Sequence, residues 1–218
     1  MAENDNNVIA PIDEVSSTTK VLIAVTKKSD SSKLAVSSEY YESLDKRSYN
    51  TDGIIIRDEE NDVNLLIAPT EATKAFGEGP EDIPASDKRR KNYTNPTMSE
   101  LDGKWRTDFL LSNHATHYDD NCAICYCRDY GQGWWMPSGG EMDLVKSNKE
   151  EVNTLLTAIN GTQVSNGTYW LSTQYSKDYS WHLDMSNGMY GFWLSKTNSL
   201  LVRPMNDATD YQEIENEE

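Results

Sequence analysis

Three cysteines fall in one short run, Cys122, Cys125 and Cys127. A Cys-x-x-Cys pair is the spacing of thiol redox chemistry and of half a zinc site. His114 and His117 lie just upstream and could complete a Cys/His set. Zinc takes about four ligands, and no second Cys or His pair follows downstream. An odd cysteine count argues against a disulfide framework. The preferred reading is therefore small apolar side chains on a buried helix face. His182 stands beside Trp181, and the chain has no Gly-x-Ser-x-Gly elbow, so Ser-His-Asp chemistry lacks its nucleophile. Acid pairs say little in a chain with 36 acidic residues. The expectation is a protein that is not an enzyme, with no cofactor and no metal.

What the sequence concentrates instead is aromatic area. Five of the six tryptophans lie between Gly133 and Pro204. Buried aromatics supply large apolar surface, and their polar edges need partners, so a specified core belongs here.

Composition narrows the classes. The net charge is -16, which repels phosphate backbones and speaks against nucleic-acid binding. The one basic run, Lys88-Arg89-Arg90-Lys91, reads as a solvated linker. No apolar run approaches the roughly 20 residues that span a bilayer, so no membrane insertion is expected. Met1 to Asn7 is polar, without the basic and apolar regions of a secretion signal. This leaves an intracellular protein, one whose signal has been trimmed, or one released by lysis. Asp207, Asp210, Glu213, Glu215, Glu217 and Glu218 crowd the C-terminus, and residues 206–218 read as a flexible acidic tail.

The elements follow from periodicity. Val21–Val25 is a short apolar strand, Leu34–Val36 pairs back on it, and Ser37–Leu44 forms a short helix. Residues 1–49 thus make a small α/β module, too small to bury its own core, which should dock or oligomerise. Gly53–Ile56 and Asn64–Ala68 flank an acidic loop as a β-hairpin. Phe76–Thr97, with Pro80, Pro84 and Pro96, is a long loop. Ala115–Tyr130 reads as a helix carrying the cysteines. Ser138 and Glu141 form a capping box that starts another. Val152, Leu155, Leu156 and Ile159 give the stripe of an amphipathic helix over Glu150–Asn160. From Thr168 the period becomes two. Trp181, Leu183 and Met185 alternate with His182 and Asp184, and Asn187-Gly188 turns the chain into Met189–Ser195. Leu200–Val202 is a last strand. The sequons at Asn160 and Asn166 are read as chance.

Taken together, these segments resemble a family. Tyr126-Cys127-Arg128-Asp129-Tyr130 precedes Gly133-Trp134-x-x-Pro137-Ser138-x-Gly140-Glu141-Met142. Tyr169-Trp170-x-Ser172-Thr173-Gln174-Tyr175, the Asn-Gly hairpin and Val202-Arg203-Pro204 follow. The pattern resembles the C-type-lectin-fold domains of bacterial surface proteins and phage receptor-binding proteins. Among these are the C-terminal domain of collagen-like adhesins and the variable proteins of diversity-generating retroelements. The resemblance covers residues 50–205. It implies an α+β domain, a twisted antiparallel sheet with two flanking helices and paired chain ends. Trp134, Pro137, Glu141, Trp170 and Arg203 would be scaffold. The ligand face would draw on Tyr175, Lys177, Tyr179, His182, Asp184, Tyr190, Trp193, Lys196 and Asn198. Tyr and Trp give rigid area, and Asn gives adaptable hydrogen bonds. The Glu-Pro-Asn and Trp-Asn-Asp triplets of calcium-dependent sugar-binding lectins are missing. Asp178, Asp184 and Asn187 offer only part of a calcium shell. Formylglycine-generating enzymes share the Gly-Trp segment, but their reactive cysteines come late in the domain and these come early.

The expected function is a virion head or tail fibre, with residues 1–49 anchoring to other virion proteins. Residues 50–205 would bind a host surface glycan or protein, in a dimer or trimer. The alternative is a bacterial cell-surface adhesin or pilus-tip protein.

Overall fold

The computed structural model describes residues 19–77, 101–114, 121–176 and 178–214, with Asn113 and His114 as backbone. Expectations for residues 1–18, 78–100, 115–120, Lys177 and 215–218 lie outside it. These include the basic run, His117 and the side chain of His114.

β1 (Thr19–Lys27) pairs antiparallel with β2 (Lys33–Val36) on one side and with β3 (Tyr49–Asp58) on the other. Ser37 caps α1 (Ser38–Ser43) by accepting the Tyr40 N–H. β3 continues into β4 (Val63–Ile67), the expected hairpin. Gly53 is where β3 crowds β4: a Cβ there would sit 2.1 Å from the Ile67 carbonyl oxygen, and its φ is +154°. Near the C-terminus, β10 (Met205–Asp207) adds beside β4 and β11 (Gln212–Glu213) beside β2. The first sheet thus has the order β10-β4-β3-β1-β2-β11.

This sheet corrects the expected division of the chain. Residues 19–48 do not form a separate module, because β1 shares a ladder from Thr19↔Asp58 to Lys27↔Tyr49 with β3. The small N-terminal unit finds its missing core inside its own chain. Residues 206–214 are not a free tail either. They strap the outer face of the sheet from one edge to the other. Ala208 N–H donates to Asn64, Tyr211 packs with Ala24, Ala35 and Ile55, and Ile214 N–H donates to Ala35. Arg57 holds the strap through Glu213 at 2.9 Å and through the Tyr211 carbonyl.

The second sheet has the order β5-β9-β6-β7-β8. Its strands are β5 (Ala72–Ala75), β6 (Thr168–Gln174), β7 (Tyr179–Asp184), β8 (Met189–Ser195) and β9 (Ser199–Val202). Among the described residues, four further α-helices join the two sheets: α2 (Gly103–His114), α3 (Ala123–Tyr130), α4 (Gly139–Ser147) and α5 (Lys149–Ala158). The α+β class is what the structure shows.

Two cores lie against this second sheet. Tyr169, Leu171, Trp181 and Leu183 join Met142 and Val145 of α4, Val152 and Leu156 of α5, and Ile23 and Ile54 of the first sheet. Trp170 and Val202 face the other way, onto Leu110 of α2 and Ile124, Cys125 and Cys127 of α3. A strand covered on both faces has no solvent side, so β6 is buried along almost its whole length.

Arg203 and Glu141 pin these layers together. Arg203 is fully buried. Its Nη2 meets Glu71 Oε2 at 2.6 Å, and it donates to the carbonyls of Ala68 and Thr162 at 2.8 Å each. Tyr169 Oη donates to the same Glu71 oxygen at 2.7 Å. Glu141 accepts from Ser138 N–H at 2.8 Å, Trp135 Nε1–H at 3.1 Å and Gly103 N–H at 3.2 Å. The capping-box glutamate thereby ties α4 to the start of α2.

Candidate functional site

The expected ligand face begins with the β7–β8 hairpin. Asp184 closes its turn: the carboxylate accepts from Ser186 N–H at 2.9 Å, Ser186 Oγ at 2.6 Å and Asn187 Nδ2 at 3.0 Å. These bonds hold its pKa below the ordinary value. The turn spans residues 185–188, longer than a two-residue Asn-Gly turn, because Asp184 pairs with Met189 and Met185 tucks into the core. Asp184 therefore builds the turn.

His182 lies on the inward side. It is 5% exposed and stands edge-on to Trp170 and to Trp193, with centroids at 6.2 and 5.8 Å. Its ring fills the space over Gly191, where a Cβ would come within 2.4 Å of Nε2. Burial pushes its pKa down, so the packed ring favours the neutral form. Tyr190 is half-buried, and its hydroxyl bonds Asp143 Oδ1 at 3.1 Å and the Gly139 carbonyl at 3.2 Å. That clamps β8 to α4, and burial pushes the phenol pKa up. Lys196 is 2% exposed, with Nζ 5.1 Å from the Phe76 ring centroid. Tyr175 is half-buried and stacks on Phe192 at 4.4 Å. These placements differ from the outward-facing ligand face that the resemblance implies. β6 has a core on each side, so alternation along β7 sends Trp181 and Leu183 into one interior and His182 against Trp170 in the other.

Three expected positions remain at the surface. Trp193 is 61% exposed, Tyr179 is 41% exposed, and Asn198 is exposed. The structure adds Met189, 62% exposed, which the sequence reading missed. Its place at the start of β8, just after the Asn-Gly turn, was the available signal. Trp193 is exposed yet held, since His182 and Phe192 both meet its ring edge-to-face. On the flank of the turn lies a shallow groove of about 700 Å³, lined by Lys146, Asn148, Lys149, Asn166 and Met185. Both lysines are engaged there, Lys146 with Asp143 at 2.5 Å and Lys149 with Asn166. Among the described residues, no group of three or more His, Cys, Asp or Glu side chains is arranged to hold a metal ion. The arrangement can offer flat aromatic area with amide and hydroxyl donors beside it.

The fold has a counterpart among solved structures. A crystal structure of a fimbrial protein from Bacteroides ovatus is similar, with a TM-score of 0.51 and 19% sequence identity. The match covers 66% of this chain and 35% of the fimbrial protein, so this chain corresponds to about a third of that one. No family model matches the sequence, and no curated protein matches it. No helix among the described residues is long and apolar enough to cross a membrane.

Proposed function

We propose that the protein is a bacterial surface adhesin of the fimbrial kind and not an enzyme. Its lectin-like portion would bind a glycan or protein of a host or neighbouring cell through the open end of the β7–β8 hairpin, where Tyr179 pairs with Ser195. The fimbrial neighbour favours this over the virion fibre, which the sequence reading placed first. The observation that carries the site is Trp193, a large ring 61% exposed on a strand whose other aromatics are packed. An exposed, edge-held indole gives rigid contact area at little entropic cost. Tyr179 and Asn198 at the same end of the sheet supply hydroxyl and amide groups. Self-association into a dimer or trimer, and docking to other appendage proteins, belong to the same proposal.

The test is a glycan array printed with mucin and capsular saccharides, probed with the full chain, Trp193→Ala and Tyr190→Phe. Trp193→Ala should weaken binding at least about tenfold, or about 1.4 kcal/mol, with an unchanged urea midpoint. Tyr190→Phe should bind normally and lose stability. A Trp193→Ala variant that binds as tightly as the parent rejects this site. Silence of the full chain across the array rejects the glycan.

A further inference from the structure

The cysteine run is the chemistry-bearing motif that the binding site leaves unused. Cys122 is the N-cap of α3, and its Sγ accepts the Cys125 N–H at 3.1 Å. This is the N-cap half of a capping box, with sulfur in place of oxygen. N-cap and N3 side chains lie side by side in that arrangement, because each can reach the other's backbone. The Cys122 sulfur thus lies 3.1 Å from the backbone nitrogen of the residue it would bridge. Cys127 sits two residues past Cys125 on the helix, and positions i and i+2 point about 200° apart, so that pair cannot meet. All three are buried, beneath Phe76, Trp170 and Val202.

We propose that Cys122 and Cys125 close into a disulfide as the protein folds, and that Cys127 stays a thiol. The compartment in which this happens rests on the surface reading above, since exported proteins fold under oxidising conditions. The oxidant is a disulfide of the thiol-exchange class, such as oxidised glutathione. One cysteine thiolate attacks it, releasing one thiol and leaving a mixed disulfide. The second cysteine displaces the other thiol, so two protein hydrogens end on the two released thiols and the protein is oxidised by two electrons. Timing follows from burial, which pushes the Cys122 thiol up to about 12. The folded thiol therefore carries almost no thiolate, and exchange has to precede docking of α3.

The experiment uses the full chain. It is reduced and unfolded in guanidinium, then refolded with mixed reduced and oxidised glutathione. After denaturing again, free thiols are alkylated with iodoacetamide and the intact mass is measured. The expected product carries one alkyl group and is two hydrogens lighter than the reduced chain at the other pair. Trypsin leaves all three cysteines in one peptide ending at Arg128, and fragmentation should place the label on Cys127. A parallel sample, folded while reduced and then given the same oxidant, should keep three labels over the same time. Three labels after oxidative refolding, a label on Cys122 or Cys125, or a stable glutathione adduct overturns the proposal. None of these outcomes depends on glycan binding, so the bridge and the adhesin reading can fail separately.

Discussion

Arg203→Ala is the sharpest test of how the two sheets are joined. Removing the guanidinium takes two donors from Glu71, leaving its buried carboxylate with Tyr169 Oη at 2.7 Å. It also takes a donor from each of the Ala68 and Thr162 carbonyls. Breaking a buried ion pair from one side costs roughly 3–5 kcal/mol. Each orphaned acceptor adds up to about 1–3 kcal/mol. Water entering the vacated volume offsets part of this, which places the net near 4 kcal/mol. With a urea dependence of about 2–3 kcal/mol/M for a chain of this size, the unfolding midpoint should fall by about 1.3–2 M. Glu71→Ala alone should also destabilise, by stranding Arg203. The double variant should be less damaged than the two losses summed, by about 1–3 kcal/mol, since neither charge is then left alone. A midpoint shift below about 0.5 M for Arg203→Ala, or additivity in the double variant, would refute the argument that this pair is a structural latch.

Other consequences can be measured in the same way. Burial pushes Glu141 from an ordinary 4.5 up to about 7, against three N–H donors that lower it. A carboxyl raised in the folded state binds its proton more tightly there. Its stabilising share is full below about pH 4.5 and is lost as pH rises through 7, at up to about 1.4 kcal/mol per pH unit. The stability difference between the parent and Glu141→Gln should change over that window and be flat above it; a flat difference throughout would count against it. Trp170→Ala, emptying a buried site beside α3, should cost roughly 3–5 kcal/mol. Trp193→Ala should stay within about 0.5 kcal/mol of the parent, and equal losses would mean the two faces are misassigned. Tyr211→Ala should destabilise by about 2 kcal/mol or more and speed amide exchange in β2; unchanged exchange would show that the strap does not hold that edge.

Local chemistry was legible from the chain. Ser138 and Glu141 announce the start of α4, Val152, Leu155 and Leu156 mark the buried stripe of α5, and both hairpins lie where their turn residues placed them. Each of these signals is written within a few residues, because capping, periodicity and turn geometry act at that range. α2 was not legible. Its buried side carries Arg106 and Thr107 beside Leu110, so no apolar stripe marks it. Arg106 is held by Asp102 at 2.6 Å, and Thr107 accepts the Met136 N–H at 3.0 Å. These partners satisfy buried polar groups, and one of them comes from a distant part of the chain.

The same distinction governs the site. Alternation along β7 and β8 shows that two faces exist, and that much the amino-acid order determined. Which face meets water depends on what packs against it: α4 lies against one face of β6 and β7, and α2 lies against the other face of β6. Tertiary structure alone therefore decided that His182 and Lys196 are interior, that Tyr190 is clamped to α4, and that Trp193 is exposed. It likewise decided that β1 completes a sheet with β3, and that the acidic C-terminus is bound across it through Arg57 and Asn64. Pairing between distant strands and the burial of a charge against a remote partner are properties of the assembled chain, and no window of neighbouring residues contains them.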